Sequence, residues 1–527
     1  MITDALSVQP AGTVLEADVC IVGAGAAGIT LAREFVNSKL RVVVLESGGM
    51  QLDSATQNLY AGINVGRDYF DPAACRLRYF GGTTNHWGGW CMPLDPIDFQ
   101  QREDFPYSGW PFDRSYLDPW YRRAQEVCQL GPFDYAPRSW GIDLNKVPQP
   151  FTGPNFRCEI LQLSPPTRFG EVYRPMLHAA TQVCVYLNAN VVGLVTNESY
   201  REIREALVAT LEGHRFSVRA KVFVIAAGGI ENARLLLASG PESRGLGNDR
   251  DLVGRFFATH IQYHGGEILI SDASARFDFD TGPDGAEYTG IGPAHRFVSS
   301  FGLTEYGMRR FSLPSFKFRQ TYALTPFNEG LITAKRMLEA KDDWDGIKRD
   351  LDTIVQDLHR RPTFEERPAF SRDGQPLGMV LLRCQSEQLP NPNSRVRLGP
   401  ERDALGMQKI VIDWRLTAAD REKAAATLRL LGAEVGRVAL GRGRSWFRED
   451  DTGWPSDMFG DQHHSGTTRM HPDPAQGVVD PNCAVHGVAN LYVAGGSVFP
   501  TSGGGNPTLT ITALALRLAD HIKNGVA

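Results

Sequence analysis

The stretch from Asp18 to Glu46, DVCIVGAGAAGITLAREFVNSKLRVVVLE, narrows the choice of fold more than any other part of the chain. Val19 to Val22 is an apolar run suited to a buried strand, and Gly23, Gly25 and Gly28 follow in G-x-G-x-x-G spacing. The first glycine allows a tight turn, the second lets a pyrophosphate approach the backbone, and the third lets helix and strand pack closely. Ala26 to Asn37 reads as the helix whose N-terminal N–H groups face the phosphates. Val42 to Leu45 reads as a second buried strand that delivers Glu46. A carboxylate there accepts from both ribose hydroxyls and repels a 2′-phosphate. Strand, glycine turn, helix, strand and acid together predict a dinucleotide site, one that suits FAD and NAD equally.

The 527 residues suffice for two or three domain-sized cores. Hydrophobic residues at 42% and charged residues at 22% place the chain among soluble globular proteins. A formal net charge of -5 gives no basic footprint for nucleic acid. No apolar run is long enough to cross a bilayer, so no membrane segment is expected. The N-terminus, MITDALSVQPAGTVLEAD, has neither a positive n-region nor an apolar h-region, so no secretory signal is read and a cytoplasmic protein is expected. The eight cysteines form no C-x-x-C, which predicts reduced, mostly buried thiols and no metal site.

Further along, RLRYFGGTTNHWGGWCMPLDPIDF runs from Arg76 to Phe99. Gly81, Gly82, Gly88 and Gly89 bracket Thr83, Thr84, Asn85, His86 and Trp87, a run incompatible with regular helix or strand. It reads as a loop closing on a flat ligand, because Trp87 and Trp90 argue against full exposure. Ser115 to Leu130 reads as an amphipathic helix, and residues 164–178 as a turn followed by a helix. Val183 to Leu187 is a predicted strand. Ala206 to Leu211 and Arg215 to Val218 read as a small hairpin. Lys221 to Ile225 reads as a further buried strand, ending in Ala226, Ala227, Gly228 and Gly229 before a helix. That is a second strand–glycine–helix unit fit to approach the same cofactor.

From about residue 265 the pattern changes. Glu267 to Ile270 reads as a strand, and residues 271–330 as a long irregular insert of the kind that forms lids or binding loops. Its acids, Asp272, Asp278, Asp280 and Asp284, suit either a solvated loop or a cationic substrate. Leu331 to Ala340 and Trp344 to Leu358 read as helices. Met379 to Glu387, Ser394 to Leu398 and Lys409 to Leu416 read as strands. Thr417 with Asp420 forms a capping box that opens a helix reaching about Leu440. The last 67 residues return to glycine-rich turns: DQHHSGTTRM at 461–470, then a strand at Leu491 to Ala494 and GGSVFPTSGGGNPTLTITALALRLADHIK. Pro507 fits the first turn of a helix running to about Lys523, whose N-terminus presents free N–H groups to something anionic.

VGAGAAG with Glu46, GGTTNHWGG, VIAAGGIENARLL, HHSGTTRM and YVAGGSVFPTSGGGNPTLTITALALRLAD occur in an order that resembles the glucose-methanol-choline (GMC) family of FAD-dependent oxidoreductases. Within it, GGTTNHW and SPPTRFGE are most similar to the branch of pyranose oxidases, glycoside 3-oxidases and sugar dehydrogenases. The resemblance implies FAD rather than NAD. It implies an α/β fold: a Rossmann-like FAD-binding domain, with parallel sheet and helices, plus a substrate domain of mainly antiparallel sheet backed by helices. The expected division is 11–264 for the first part of the FAD domain, 265–459 for the substrate domain, and 460–527 for the return to the FAD domain.

It also implies residue roles. His463, three before Gly466, matches the family's catalytic histidine, and Asn506, just before Pro507, its partner. His463 is preferred over His464 because neighbours on extended chain point opposite ways. A neutral imidazole suits removal of a hydroxyl proton near pH 7, while the amide of Asn506 holds the substrate oxygen. Gly23, Gly25, Gly28, Glu46, Gly82, Thr84, Asn85, His86, Val191, Gly228, Gly496, Asn506, Pro507 and Thr508 are the expected cofactor neighbours. Thr84 and Asn85 are expected near flavin N5, and the backbone of Val191 near adenine. Gly229 and Glu231 are weaker candidates of the same kind. His86 matches a histidine that carries a covalent bond to the flavin 8α-methyl group in pyranose oxidases; the alternative is packing on the ring. His260 suits a place near the site or a structural role.

The implied function is FAD-dependent oxidation of an alcohol on a sugar or glycoside, with oxygen, a quinone or another acceptor taking the electrons. An aminoglycoside or other secondary-metabolite alcohol is the alternative substrate, and a non-catalytic flavin-binding relative the alternative of another class. No nucleic-acid partner is expected.

Overall fold

The computed structural model describes residues 1–165, 167–241, 244–270, 275, 277, 295–321, 378–447 and 452–526. The helices read at 331–340 and 344–358, and Asp272, Asp278, Asp280 and Asp284, lie outside the described residues.

Two large sheets face each other across the site. The first is mostly parallel, in the order Ile2–Asp4, Val183–Leu187, Val42–Leu45, Val14–Val22, Arg215–Ile225, Ile203–Ala209, Asn190–Thr196. Its central strands are near-continuous apolar runs, as burial on both faces requires. Helix Ala26–Phe35 packs on it beside the C-terminal helix Pro507–Val526. The expected short strand at Arg215 to Val218 and the strand from Lys221 are one strand, Arg215–Ile225. It pairs antiparallel with Ile203–Ala209 at its start and parallel with Val14–Val22 along most of its length. Near its end it pairs parallel with Leu491–Val493. A polar stretch at Arg219–Lys221 therefore marks a change of neighbour, not a turn.

The second sheet is antiparallel and roofs the cofactor side: Gly441–Ser445, Ile261–Ile270, Gly378–Ser386, Phe316–Thr321, Arg296–Leu303, Phe156–Leu163, Trp90–Cys91. Here the expectation of an irregular insert over 271–330 is wrong for its described part. Arg296–Leu303 and Phe316–Thr321 are central strands. Their outer-face residues Phe297, Phe301, Phe316 and Phe318 join a core that Ala424, Leu428, Leu431 and Val435 of helix Ala418–Arg437 complete. That helix opens on the expected Thr417–Asp420 capping box. A small third sheet joins Arg395–Arg402, Gln408–Asp413 and Gly62–Asn64. Among the described residues no helix is long and apolar enough to cross a membrane. None of the eight cysteines forms a disulfide, and seven of them are buried.

Candidate active site

Between the sheets lies a cavity of about 740 Å³. At one end it is lined by Gly23–Ala27 and Glu46, in the middle by Gly82, Thr84, His86, Trp87 and Gly228, and at the other end by His463, His464 and Asn506.

The first end is built from main chain. Gly28 lies so close to the preceding turn that a Cβ there would stand 1.9 Å from the Gly23 carbonyl oxygen. A Cβ on Gly25, by contrast, meets nothing within 4 Å. Helix Ala26–Phe35 thus starts tight against its strand, with open space in front and no side chain capping it. Buried Glu46 accepts from the N–H of Ala24 at 2.7 Å and of Gly48 at 2.9 Å. Burial pushes its carboxyl up, partly offset by those two N–H groups. Two of its roughly four lone-pair directions are used, which leaves acceptor capacity toward the cavity. Val191, Gly228, Gly496, Pro507 and Thr508 also line the cavity. Asn232 ties the two later glycine turns together: its amide receives the Ala227 N–H and donates to the Ala494 carbonyl at 3.0 Å.

A buried ion cluster forms one wall. Glu231 meets Arg76 at 3.0 Å, and Arg78 and Arg234 at 3.2 Å each. Burial opposes its ionisation, but the three guanidinium groups prevail and hold its carboxyl down to about 2. Glu231 is therefore held by protein cations and keeps the arginines in place.

In the loop at 82–86, Gly82, Thr84 and His86 line the cavity and Asn85 does not. Its amide donates to the Phe80 carbonyl at 2.8 Å. Exposed His86 holds its Nε2 3.0 Å from the Tyr79 hydroxyl.

The far end is built from side chains. His463 Nδ1 lies 2.8 Å from His260 Nδ1 and 3.4 Å from the Asp461 carboxylate. His260 Nε2 lies 2.8 Å from the carbonyl oxygen of Gly503, which can only accept, so His260 carries its proton on Nε2. Its Nδ1 must then accept, and His463 must donate from Nδ1. That fixes the tautomer of His463 and leaves its Nε2 as an unprotonated acceptor. Burial lowers the pKa of His463; Asp461 opposes and Lys317 assists. His260 is pulled down to about 3, by burial first, then by His463 and Lys317. Both rings are neutral at pH 7. Asp461 keeps its charge: burial resists it, but His463, the Gln462 N–H and Gln262 favour it. His464 points elsewhere, stacked on Phe257 at 5.9 Å, with its buried Nε2 unpartnered among the described residues.

His260 was singled out from sequence with its role open. Asp461, Gln262 and Asn232 were not singled out at all. The loop Gly503–Gly505 that precedes Asn506 is fastened on both sides, with the Gly503 N–H on Glu387 at 2.8 Å and its carbonyl on His260.

The cavity fits FAD. It has a glycine turn and helix start with open space for a pyrophosphate, and a buried carboxylate with spare acceptor capacity.

Comparison with known proteins agrees. A family model described as GMC oxidoreductase matches residues 390–515, and one described as FAD dependent oxidoreductase matches residues 18–250. The chain is 26% identical to 6'''-hydroxyparomomycin C oxidase of Streptomyces lividus, over 97% of this chain and 92% of that one. It is 25% identical to the fructose dehydrogenase large subunit of Gluconobacter japonicus, over 97% and 98%. Pyridoxine 4-oxidase from Mesorbium loti shares the fold, with a TM-score of 0.57 at 18% identity, covering 96% of this chain and 98% of that one.

Proposed function

We propose that the chain is a GMC-type FAD-dependent oxidoreductase acting on CH–OH donors, and that it oxidises an alcohol group of a sugar or glycoside to a ketone or aldehyde. The observation that carries the residue roles is the fixed tautomer of His463, which leaves Nε2 able to take a proton in the cavity that Asn506 also lines.

In this reading the cavity would hold FAD, which would supply the hydride acceptor. Glu46 would take the ribose hydroxyls, and the turn Gly23–Gly25 the pyrophosphate. Val191 would serve the adenine, and Gly82, Thr84, Gly228, Gly496, Pro507 and Thr508 would complete the cradle. Asn506 donates to the substrate hydroxyl oxygen. His463 Nε2 accepts the hydroxyl proton, and the imidazolium so formed is stabilised by Asp461 beside its Nδ1–H. His260 acts as a positioning residue, because it keeps that Nδ1–H donated and Nε2 aimed inward. The domain division at 264/265 and 459/460 is part of the same proposal, with strand Phe156–Leu163 contributed to the roof sheet from the first segment.

His463→Ala tests the base. Anaerobic reduction of the flavin by a sugar substrate is expected to slow by about 10²- to 10⁴-fold with flavin content unchanged. A wild-type rate sinks the assignment. Acid denaturation distinguishes a His86–flavin bond, which keeps the colour on the protein, from packing, which releases it.

A further inference from the structure

The three peptides that lead into Asn506 take their direction from the roof. The Gly503 N–H, on the 502–503 peptide, donates to Glu387 Oε1 at 2.8 Å. The Gly503 carbonyl, on the next peptide, accepts from His260 Nε2 at 2.8 Å, and the Gly504 carbonyl, on the one after, from Gln385 at 3.1 Å. Gln385 lines the cavity and His260 meets the base, whereas Glu387 does neither.

Glu387 follows strand Gly378–Ser386 and is 7% exposed. Its second oxygen, Oε2, accepts the Ser315 N–H at 3.3 Å, and its own N–H donates to the Ser315 carbonyl at 2.9 Å. The carboxylate therefore ties the loop to the start of the neighbouring strand Phe316–Thr321. An ionised carboxylate accepts on both oxygens; an amide in its place has one acceptor and must turn N–H against N–H at the other. The charged groups around it are occupied elsewhere. Asp98 accepts from the Ser315 hydroxyl at 2.6 Å and the Asp95 N–H at 2.9 Å, and Asp420 from the Leu389 N–H at 2.8 Å and the Thr417 hydroxyl at 2.7 Å. Arg102 donates to the carbonyls of Met308 and Leu313. Burial, with Asp420, pushes the Glu387 carboxyl up, and the Gly503 and Ser315 N–H groups, with Arg102, act against that.

We propose that Glu387 is a positioning residue for the base, a role that rests on the alcohol-oxidation reading of the same cavity. By holding the 502–503 peptide it turns the Gly503 carbonyl onto His260. His260 then keeps the Nδ1–H of His463 and leaves Nε2 free for the hydroxyl proton.

The test uses the flavin-loaded enzyme, anaerobically, with a sugar or glycoside that reduces the wild-type flavin. Glu387→Gln is expected to lower the maximal rate of flavin reduction about 10- to 100-fold, with flavin content unchanged. The sugar concentration for half-maximal rate should stay within about 2-fold of wild type. The acid limb of the rate profile should move to higher pH, because His463 then gives its Nδ1–H to Asp461, 3.4 Å away. A double-mutant cycle separates positioning from general loosening: in a His260→Leu background, Glu387→Gln should cost less than about 2-fold. Asp98→Asn, in the same buried cluster, should leave rate and acid limb as in wild type. Glu387→Asp, which draws the carboxylate back by one methylene, carries the same expectations if the Gln variant does not load flavin. A readout independent of turnover is the ring-nitrogen NMR of protein with isotopically labelled histidine: His463 should be protonated on Nδ1 in wild type, and in part on Nε2 in Glu387→Gln. An equal cost in both backgrounds, an unmoved acid limb, the same slowing in Asp98→Asn, or loss of flavin from both Glu387 variants overturns the positioning role. A wild-type enzyme that no alcohol reduces overturns the oxidation reading instead, and the histidine tautomers then still decide on Glu387.

Discussion

The two ends of the cavity are made of different material. At the glycine-turn end the groups that face the cavity are main-chain N–H groups, glycine Cα atoms and one acid, nearly all within residues 22–48. At the roof end they are side chains from strands 261–270, 316–321 and 378–386 and from the segments at 461–464 and 503–506. A backbone site is specified by local spacing and tolerates no added atom. A side-chain site is specified by sheet register and can change its ligand by changing one residue. The first end suits a constant cofactor and the second a variable substrate.

Substitutions at the two ends sharpen that contrast. The largest effect is expected from Gly28→Val, whose Cβ cannot avoid the Gly23 carbonyl. The outcome should be loss of flavin-loaded protein, read as flavin absorbance per chain; a purified variant with full flavin would break the comparison. Next is Glu231→Gln, which removes the carboxylate shared by Arg76, Arg78 and Arg234 and leaves Arg76 and Arg78 of the cavity wall without an acidic partner among the described residues, while Arg234 keeps Asp403 at 2.7 Å. A loss of about 3–5 kcal/mol in denaturant unfolding is expected near neutral pH. Because the folded pKa of Glu231 is depressed to about 2, that stability is present above the ordinary carboxylate range and lost as pH falls toward 2. The variant and wild type should therefore converge in acid.

At the roof end, His260→Leu should slow flavin reduction by roughly 10- to 100-fold. His463 then gives its Nδ1–H wholly to Asp461, whose charge raises its pKa, so the acid limb of the rate profile moves to higher pH. An unchanged limb would reduce His260 to packing. The smallest effect is expected from Asp98→Asn. Burial first, then Glu387 and Asp95, lift the Asp98 carboxyl to about 8. Its folded pKa is above its unfolded value, so its favourable share is complete only below the ordinary carboxylate range and is lost progressively as pH rises to about 8. The advantage of the variant should shrink as pH falls toward the ordinary carboxylate range and reach roughly 2–4 °C in melting temperature at pH 9.

The same contrast governs what could be read from the chain alone. Gly23, Gly25, Gly28 and Glu46 carry their geometry in their spacing, so that end was legible. The places of His463 and Asn506 were legible through family likeness, not through any local pattern. Strand Phe316–Thr321, FKFRQT, alternates aromatic with cation and so had the period of a half-buried strand, yet it was taken as part of an irregular insert. Its pairing of Arg319 with Arg383 depends on register across more than sixty residues of sequence, which no local window contains. The donation of the Asn85 amide to the Phe80 carbonyl follows from the fold of the glycine-rich loop, which the residue types alone do not give.

The clamp on Gly503 has a consequence for assembly. Its φ of +58 and the 2.5 Å from its would-be Cβ to Asp98 leave room for no other residue. The same residue orients His260 and, through it, the base. A chain whose last segment has not yet seated therefore has neither a closed cavity nor an oriented His463. Competence arrives only with completion, and a half-assembled molecule spends no substrate.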